Sequence, residues 1–449
     1  MLPLPHGHGS VICFGLLLTL FLLLITRDVS SEPYIYDEAD YMYAAKLGFA
    51  ANWSDTPSIS IGDFVRSGLG HGDRHALSEQ IRSSDDVLFY RHFHGPLFHY
   101  FLIPISRLGL SKRGVRMAML AIPAASLAVI YFGCLWLIPG PAAVLAAMLF
   151  LASHTVIWST ELAPHQLFAL CTLACLVLLT KWIATGRRAY WYAAVVSAGL
   201  AFCTLEVAFV LILTMAILFR GDLRFAAKSV ALFLATVVVV WPAAIVRLSF
   251  VKSYAAMAYL ALMRAAPWGN AGFIDTWRTR ILDSPLEWTL IAIALVIGLG
   301  SRRFYAIGIF VGLMLLATLR VLTTTPRYSL TFLPMLDLLA GLTLLPSLGT
   351  WRRPASFAIV ALAVAGYGFA WVQVVRKPHN TNPRSTAVLT YIHQNGLENK
   401  TLLVPQADLA TLHYYFPAMR LRGYSGAEAN ARDREGFTSD TTLRQGAIP

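Results

Sequence analysis

Val11-Ile-Cys-Phe-Gly-Leu-Leu-Leu-Thr-Leu-Phe-Leu-Leu-Leu-Ile-Thr26 runs without a charge as far as Arg27, and shortly afterwards the chain reads Tyr34-Ile-Tyr-Asp37-Glu38-Ala-Asp40-Tyr41-Met-Tyr43-Ala-Ala-Lys46. An apolar run of this length is a candidate membrane helix. No Lys or Arg precedes it and no small-x-small cleavage site follows it, so it reads as an uncleaved first transmembrane helix and not as a signal peptide. The second stretch then sets two adjacent carboxylates, a third acid and four tyrosines at a membrane surface.

The rest of the chain repeats the apolar half of this pattern. Of 449 residues 57% are hydrophobic and 13% are charged, against roughly 25% charged in a soluble domain. The mean hydropathy is +0.60. That excludes a cytosolic enzyme, a disordered chain and a nucleic-acid binder, although the formal charge is +12. In a polytopic membrane protein that charge reports on loop orientation and headgroup contact. The five cysteines, Cys13, Cys134, Cys171, Cys175 and Cys203, all lie in apolar runs and read as buried small hydrophobes, not as a disulfide framework.

Eleven runs are span candidates: 10–27, 115–137, 141–158, 165–184, 189–204, 205–220, 226–248, 286–300, 303–319, 328–346 and 354–375. Arginine pairs at 187/188, 220/224, 302/303 and 352/353 mark alternate loops as cytoplasmic. The stretches 28–95, 249–285 and 376–449 then share the outer side, provided the short apolar run 97–110 lies flat on the bilayer. That run holds His99 and Pro104 and falls short of the roughly 20 residues a span needs. The fold expectation is an all-α polytopic membrane protein of about eleven spans plus juxtamembrane helices. Residues 1–375 form the membrane domain, with outer loops 28–114 and 249–285, and 376–449 form a small soluble α/β module outside the cytoplasm. In that module Thr386–His393, Thr401–Pro405 and Asp408–Tyr415 read as helix, strand and helix.

Four polar segments are candidates for chemistry. Asp37 and Glu38 fit a general base beside a metal or substrate carboxylate; they also fit a solvated interfacial turn. His92-Phe-His94-Gly-Pro-Leu-Phe-His99 has metal-like spacing, and equally that of ordinary loop histidines. Ser111-Lys-Arg-Gly-Val-Arg116 offers a phosphate clamp or a plain basic anchor. Thr323-Thr-Thr-Pro-Arg327-Tyr328 puts a cation at a helix N-terminus, against the macrodipole. A phosphate ligand would account for it, and so would snorkelling. Glu161 and His165 flank Pro164 and would line a cavity or make a helix turn. Asp337 and Glu206 fall inside apolar runs, where an ionisable residue needs a partner or a function.

In their order and spacing, Tyr36-Asp37-Glu38-Ala-Asp-Tyr41, His94-Gly-Pro-Leu-Phe-His-Tyr100, Arg116 and Pro326-Arg327-Tyr328 resemble the GT-C class of integral-membrane glycosyltransferases. The nearest patterns are those of the dolichyl-phosphate-mannose–protein mannosyltransferase-like proteins and the lipid A aminoarabinose transferases. The resemblance spans roughly residues 10–375. It implies transfer of a sugar from a polyprenyl-phosphate donor to a lipid, glycan or protein acceptor at the outer face of a bacterial inner membrane. It implies Asp37 or Glu38 as base and Arg116, Arg327 and Tyr328 at the donor phosphate. His92, His94, Glu161 and His165 become cavity or metal candidates. No cofactor is required, though a divalent metal cation could assist the leaving phosphate. The expected partners are the lipid-linked sugar, membrane lipid and an acceptor of unknown identity, with no nucleic acid. The alternative is a transporter or flippase of lipid-linked sugars, which would favour inverted repeats; none is evident in the sequence.

Overall fold

The structure is a computed structural model, and it describes residues 8–53, 94–138, 140–153, 160–246, 254, 273–283, 285–318, 326–347, scattered positions from 358 to 372, 383–405 and 409–424. In chain order the helices are α1 (His8–Ile25), α2 (Tyr36–Leu47), α3 (Phe49–Trp53), α4 (Leu97–Arg107), α5 (Lys112–Met119), α6 (Ala121–Leu137), α7 (Ala142–Ala152), α8 (Pro164–Thr185) and α9 (Arg188–Phe202). They continue with α10 (Ala208–Leu218), α11 (Leu223–Val240), α12 (Pro242–Val246), α13 (Phe273–Asp283), α14 (Pro285–Gly300), α15 (Tyr305–Thr318) and α16 (Leu333–Ser347). The tail adds α17 (Pro383–Gln394), β1 (Thr401–Pro405), α18 (Leu409–Tyr415) and β2 (Arg420–Tyr424).

The chain divides into two compact units. The first comprises 1–29, 117–240 and 260–379; the second comprises 30–116, 241–259 and 380–449. The first is a helical bundle in which α8 packs on α9 and α6, α7 on α16 and α6, α14 on α16, and α9 on α11. Its helices are apolar because lipid, not water, is the solvent they face. Among the described residues three helical stretches are long and apolar enough to cross a membrane: Lys112–Leu137, Pro164–Thr185 and Leu223–Val240. Shorter apolar helices accompany them, and the chain is an integral membrane protein. Residues 354–375, expected as a span, lie largely outside the described residues.

Bundle packing uses small residues where backbones approach. A Cβ on Gly341 would stand 2.7 Å from the Ala142 carbonyl oxygen and 2.5 Å from the Ala146 Cβ, so α7 and α16 meet as close as glycine allows. Leu145, Leu149, Ala294, Ala340 and Leu344 fill the adjoining core. All five cysteines are free, and four of them are buried. Glu206 is half-buried in the turn between α9 and α10 and not within a helix, which lowers the cost expected for an acid inside a span.

In the second unit α4 has only 11 residues, about 16 Å of helix against a hydrocarbon core of about 30 Å. Its Phe98, His99, Leu102 and Ile103 are buried, and it packs on α2 and α3. The tail has the order helix, strand, helix, strand. β1 and β2 pair in parallel, from Thr401 opposite Arg420 to Pro405 opposite Tyr424. Parallel strands need a crossover, and α18 lies in it. Ile392, Leu412 and Met419 form the core beneath, joined by Val388, Leu389, Leu402 and Phe416.

Candidate functional site

The acidic segment folds as the start of a helix. Ile35 is extended (φ −130°, ψ 156°), and α2 begins at Tyr36 with Asp37 and Glu38 in its first turn. Carboxylates there are favoured by the helix dipole. The two acids then diverge. Asp37 is half-buried, whereas Glu38 is 8% exposed and engaged by Arg116.

Arg116 is 2% exposed. Its Nε donates to Glu38 Oε1 at 3.1 Å and its Nη2 to Glu38 Oε2 at 2.5 Å. Nη1 donates to the carbonyls of Ser30 and Glu32, each at 2.9 Å, and Nη2 also to that of Pro33 at 3.4 Å. A guanidinium has five N–H groups, and every one has an acceptor in this segment. Tyr34 lies over the guanidinium, 4.9 Å from Cζ to ring centroid. The sequence places Arg116 at a donor phosphate; in this arrangement it has no N–H left to offer one. It holds residues 30–38 in place instead.

The tail meets the same segment. The Tyr34 N–H donates to the Tyr415 hydroxyl at 2.7 Å, and Thr386 Oγ1 donates to Glu32 Oε2 at 3.0 Å. Tyr34 and Tyr414 meet edge to face at 5.6 Å, the Tyr43 and His413 rings are tilted at 40° with centroids 4.6 Å apart, and Lys46 Nζ stands 3.7 Å from the Tyr414 centroid. Burial, reinforced by Tyr414, pushes the Tyr34 phenol well above its ordinary range, and burial does the same to Tyr415. Both therefore stay protonated at neutral pH. The sequence offered no sign of this cluster, because its members lie hundreds of residues apart.

His94 and His99 flank Tyr41, with ring centroids 6.1 and 5.9 Å away. His92 lies outside the described residues. Among the described residues no three His, Cys, Asp or Glu side chains gather as a metal set. Asn52, part of an Asn-Trp-Ser sequon, is buried and donates its amide to the carbonyls of Ala44 and Gly48 at 2.8 Å.

The first unit brings together another pair of candidates. Pro164 opens α8, where its missing N–H costs nothing, and His165 follows it, buried. The His165 ring meets Tyr328 edge to face at 4.9 Å. Tyr328 belongs to the 3₁₀ turn Pro326–Thr331; the Arg327 side chain is outside the described residues. Glu161 contributes its backbone carbonyl to Gln166 Nε2 at 2.9 Å. Asp28, which sequence reasoning passed over, is 4% exposed and accepts from Thr160 Oγ1 at 3.3 Å. Asp337 is buried within α16.

A family model for dolichyl-phosphate-mannose-protein mannosyltransferase matches residues 93–246. Comparison with curated protein sequences finds no match. Among solved structures, ArnT from Cupriavidus metallidurans in the apo state superposes with a TM-score of 0.59 at 14% identity, over 98% of this chain and 91% of that one. ArnT from the same organism bound to undecaprenyl phosphate gives 0.59 at 14% identity, over 94% and 86%. The Archaeoglobus fulgidus oligosaccharyltransferase complex with zinc and sulfate gives 0.56 at 14% identity, over 91% and 61%. In its fold, and in the segment that the family model matches, the chain is similar to the GT-C class of integral-membrane glycosyltransferases.

Proposed function

We propose that this chain is a glycosyltransferase that moves a sugar from a polyprenyl-phosphate donor to a lipid, glycan or protein acceptor at the outer face of a bacterial inner membrane. The observation that carries the reading is the division of labour between adjacent acids. Glu38 is bound at both oxygens by Arg116, which fixes the start of α2; Asp37, one residue away in the same first turn, is half-buried, and we assign it to the acceptor. Asp37 takes the acceptor proton as the acceptor attacks the anomeric carbon with inversion. The carbon–oxygen bond to the lipid phosphate breaks, and the phosphate leaves as an anion, with no proton donor required. Arg327 and Tyr328 hold that phosphate. His92, His94, Glu161 and His165 remain the cavity or metal candidates that the resemblance implies.

Two observations support the topology. The 30–47 segment and the tail share a hydrogen-bonded unit, as segments on one side of a membrane can, and α4 is too short to span. We assign 1–375 as the membrane domain of about eleven spans and 376–449 as an extracytoplasmic α/β module. The likeness to ArnT bound to undecaprenyl phosphate supports a lipid-phosphate donor.

The test is turnover of a radiolabelled polyprenyl-phosphate sugar by the purified protein in detergent. Label moving to an acceptor with release of polyprenyl phosphate is the expected result. Intact donor crossing a vesicle bilayer, with no release of polyprenyl phosphate, would assign a flippase instead.

A further inference from the structure

At one end of the helical bundle, remote in sequence from the acids of α2, lies a half-open cavity of about 730 Å³, within the roughly 300–1,000 Å³ of small-molecule sites. Its wall includes Trp182, Arg188, Arg220, Phe225, Arg302 and Tyr305, from the end of α8, the starts of α9 and α15, the end of α10 and the first turn of α11. Arg188 lies over Phe225, 4.7 Å from Cζ to the ring centroid, and makes one loose contact with Asp222 at 3.6 Å, both side chains being 59% exposed. Arg220 and Arg302 are exposed and have no carboxylate partner among the described residues. Among the described residues the three guanidinium groups have one carboxylate contact, that of Arg188 with Asp222.

Loop arginines that merely anchor a membrane protein need only lie near headgroups. They do not need to share a concave wall with aromatic rings. Three helices, α9, α11 and α15, also begin here. A cation at a helix start is disfavoured by the dipole, but an anion between the helix starts and the arginines is favoured by both. We propose that this cavity binds the phosphate of an anionic phospholipid headgroup. The arginine forks take the phosphate oxygens, and Tyr305 supplies a hydroxyl at headgroup depth. Helices α10 and α11 carry exposed Leu213, Ile217, Val230 and Leu234 as apolar surface for the acyl chains. The proposal does not depend on the transfer reaction.

Native mass spectrometry of the full chain in detergent, titrated with phosphatidylglycerol or phosphatidylcholine, tests it. The wild type should bind phosphatidylglycerol about tenfold or more tightly than phosphatidylcholine, and Arg220→Gln/Arg302→Gln should erase that difference. The charge-matched Arg187→Gln/Arg224→Gln, at the same end but outside the wall, should keep it. Should the glutamine pair at 220 and 302 not fold, Arg220→Lys/Arg302→Lys keeps the charge, removes the forks and should still weaken binding severalfold. Equal losses in the two glutamine pairs would reduce the site to diffuse charge. Unweakened binding in the lysine pair would remove the fork from the account. Displacement of phosphatidylglycerol by millimolar glycerol 3-phosphate would make the ligand a soluble phosphate and overturn the lipid assignment; no displacement supports it.

Discussion

Arg116 and the trio Arg188, Arg220 and Arg302 are the same residue type in opposite circumstances. Arg116 is 2% exposed, with five N–H groups on five acceptors of its own chain. The trio is exposed around an open cavity, with one loose ion pair among three cations within the described residues. In the sequence Arg116 was a phosphate candidate, whereas the trio served only to mark cytoplasmic loops. The count of unspent donors separates them, and only the structure supplies that count. A buried arginine with every donor spent shapes a site; an exposed one with donors to spare can take a ligand.

The largest effect expected from this contrast is on stability. Arg116→Ala leaves Glu38 buried without its cation and three carbonyls without a donor, which should cost about 3–5 kcal/mol, seen as a large fall in thermal midpoint in detergent. Arg220→Ala should change stability by no more than about 0.5 kcal/mol. A mild Arg116→Ala variant would break the distinction. Next comes the donor phosphate. Arg327→Ala should raise the apparent KM for the lipid-linked sugar by about 10–100-fold, as for loss of a charged hydrogen bond of about 1.5–3 kcal/mol, with Arg327→Lys intermediate. An unchanged KM would leave the phosphate with no assigned cation, since Arg116 is spent.

The smallest effect concerns the tail. Tyr415→Phe removes the acceptor for the Tyr34 N–H and should cost about 0.5–1.5 kcal/mol. It should also change the alkaline limb. The phenols of Tyr34 and Tyr415 are raised above 10 in the fold, chiefly by burial. The unfolded chain therefore gives up those protons first, and the stability they contribute is complete below about pH 10 and lost as the pH rises beyond it. Hydrogen exchange of the tail from pH 8 to 11 should show a shallower loss in Tyr415→Phe. A parallel loss would put the alkaline sensitivity elsewhere.

The helices were legible because lipid demands long apolar runs. The run at 165–184 answers to α8 within a residue at each end, whereas 226–248 is divided between α11, which ends at Val240, and the short α12 (Pro242–Val246). The acids at 37 and 38 were legible as a pair, because a charged pair after an apolar run stands out. That Arg116 holds Glu38 was not. Glu38 and Arg116 are 78 positions apart, and no local pattern links them. The tail's first helix and strand could be read from periodicity. Its second strand, Arg420–Tyr424, could not, since Arg-Leu-Arg-Gly-Tyr gains its strand character from pairing with β1. Glu206 looked embedded in an apolar run because a turn built of Cys203, Thr204 and Leu205 is itself apolar.

The claim that Asp37, and not Glu38, takes the acceptor proton is tested most directly by single-turnover sugar transfer in Asp37→Asn at saturating donor. The rate should fall by about a hundredfold or more, as for loss of a general base, with the thermal midpoint close to wild type because the Glu38–Arg116 contact is untouched. Transfer at the wild-type rate in a folded Asp37→Asn variant would contradict the account.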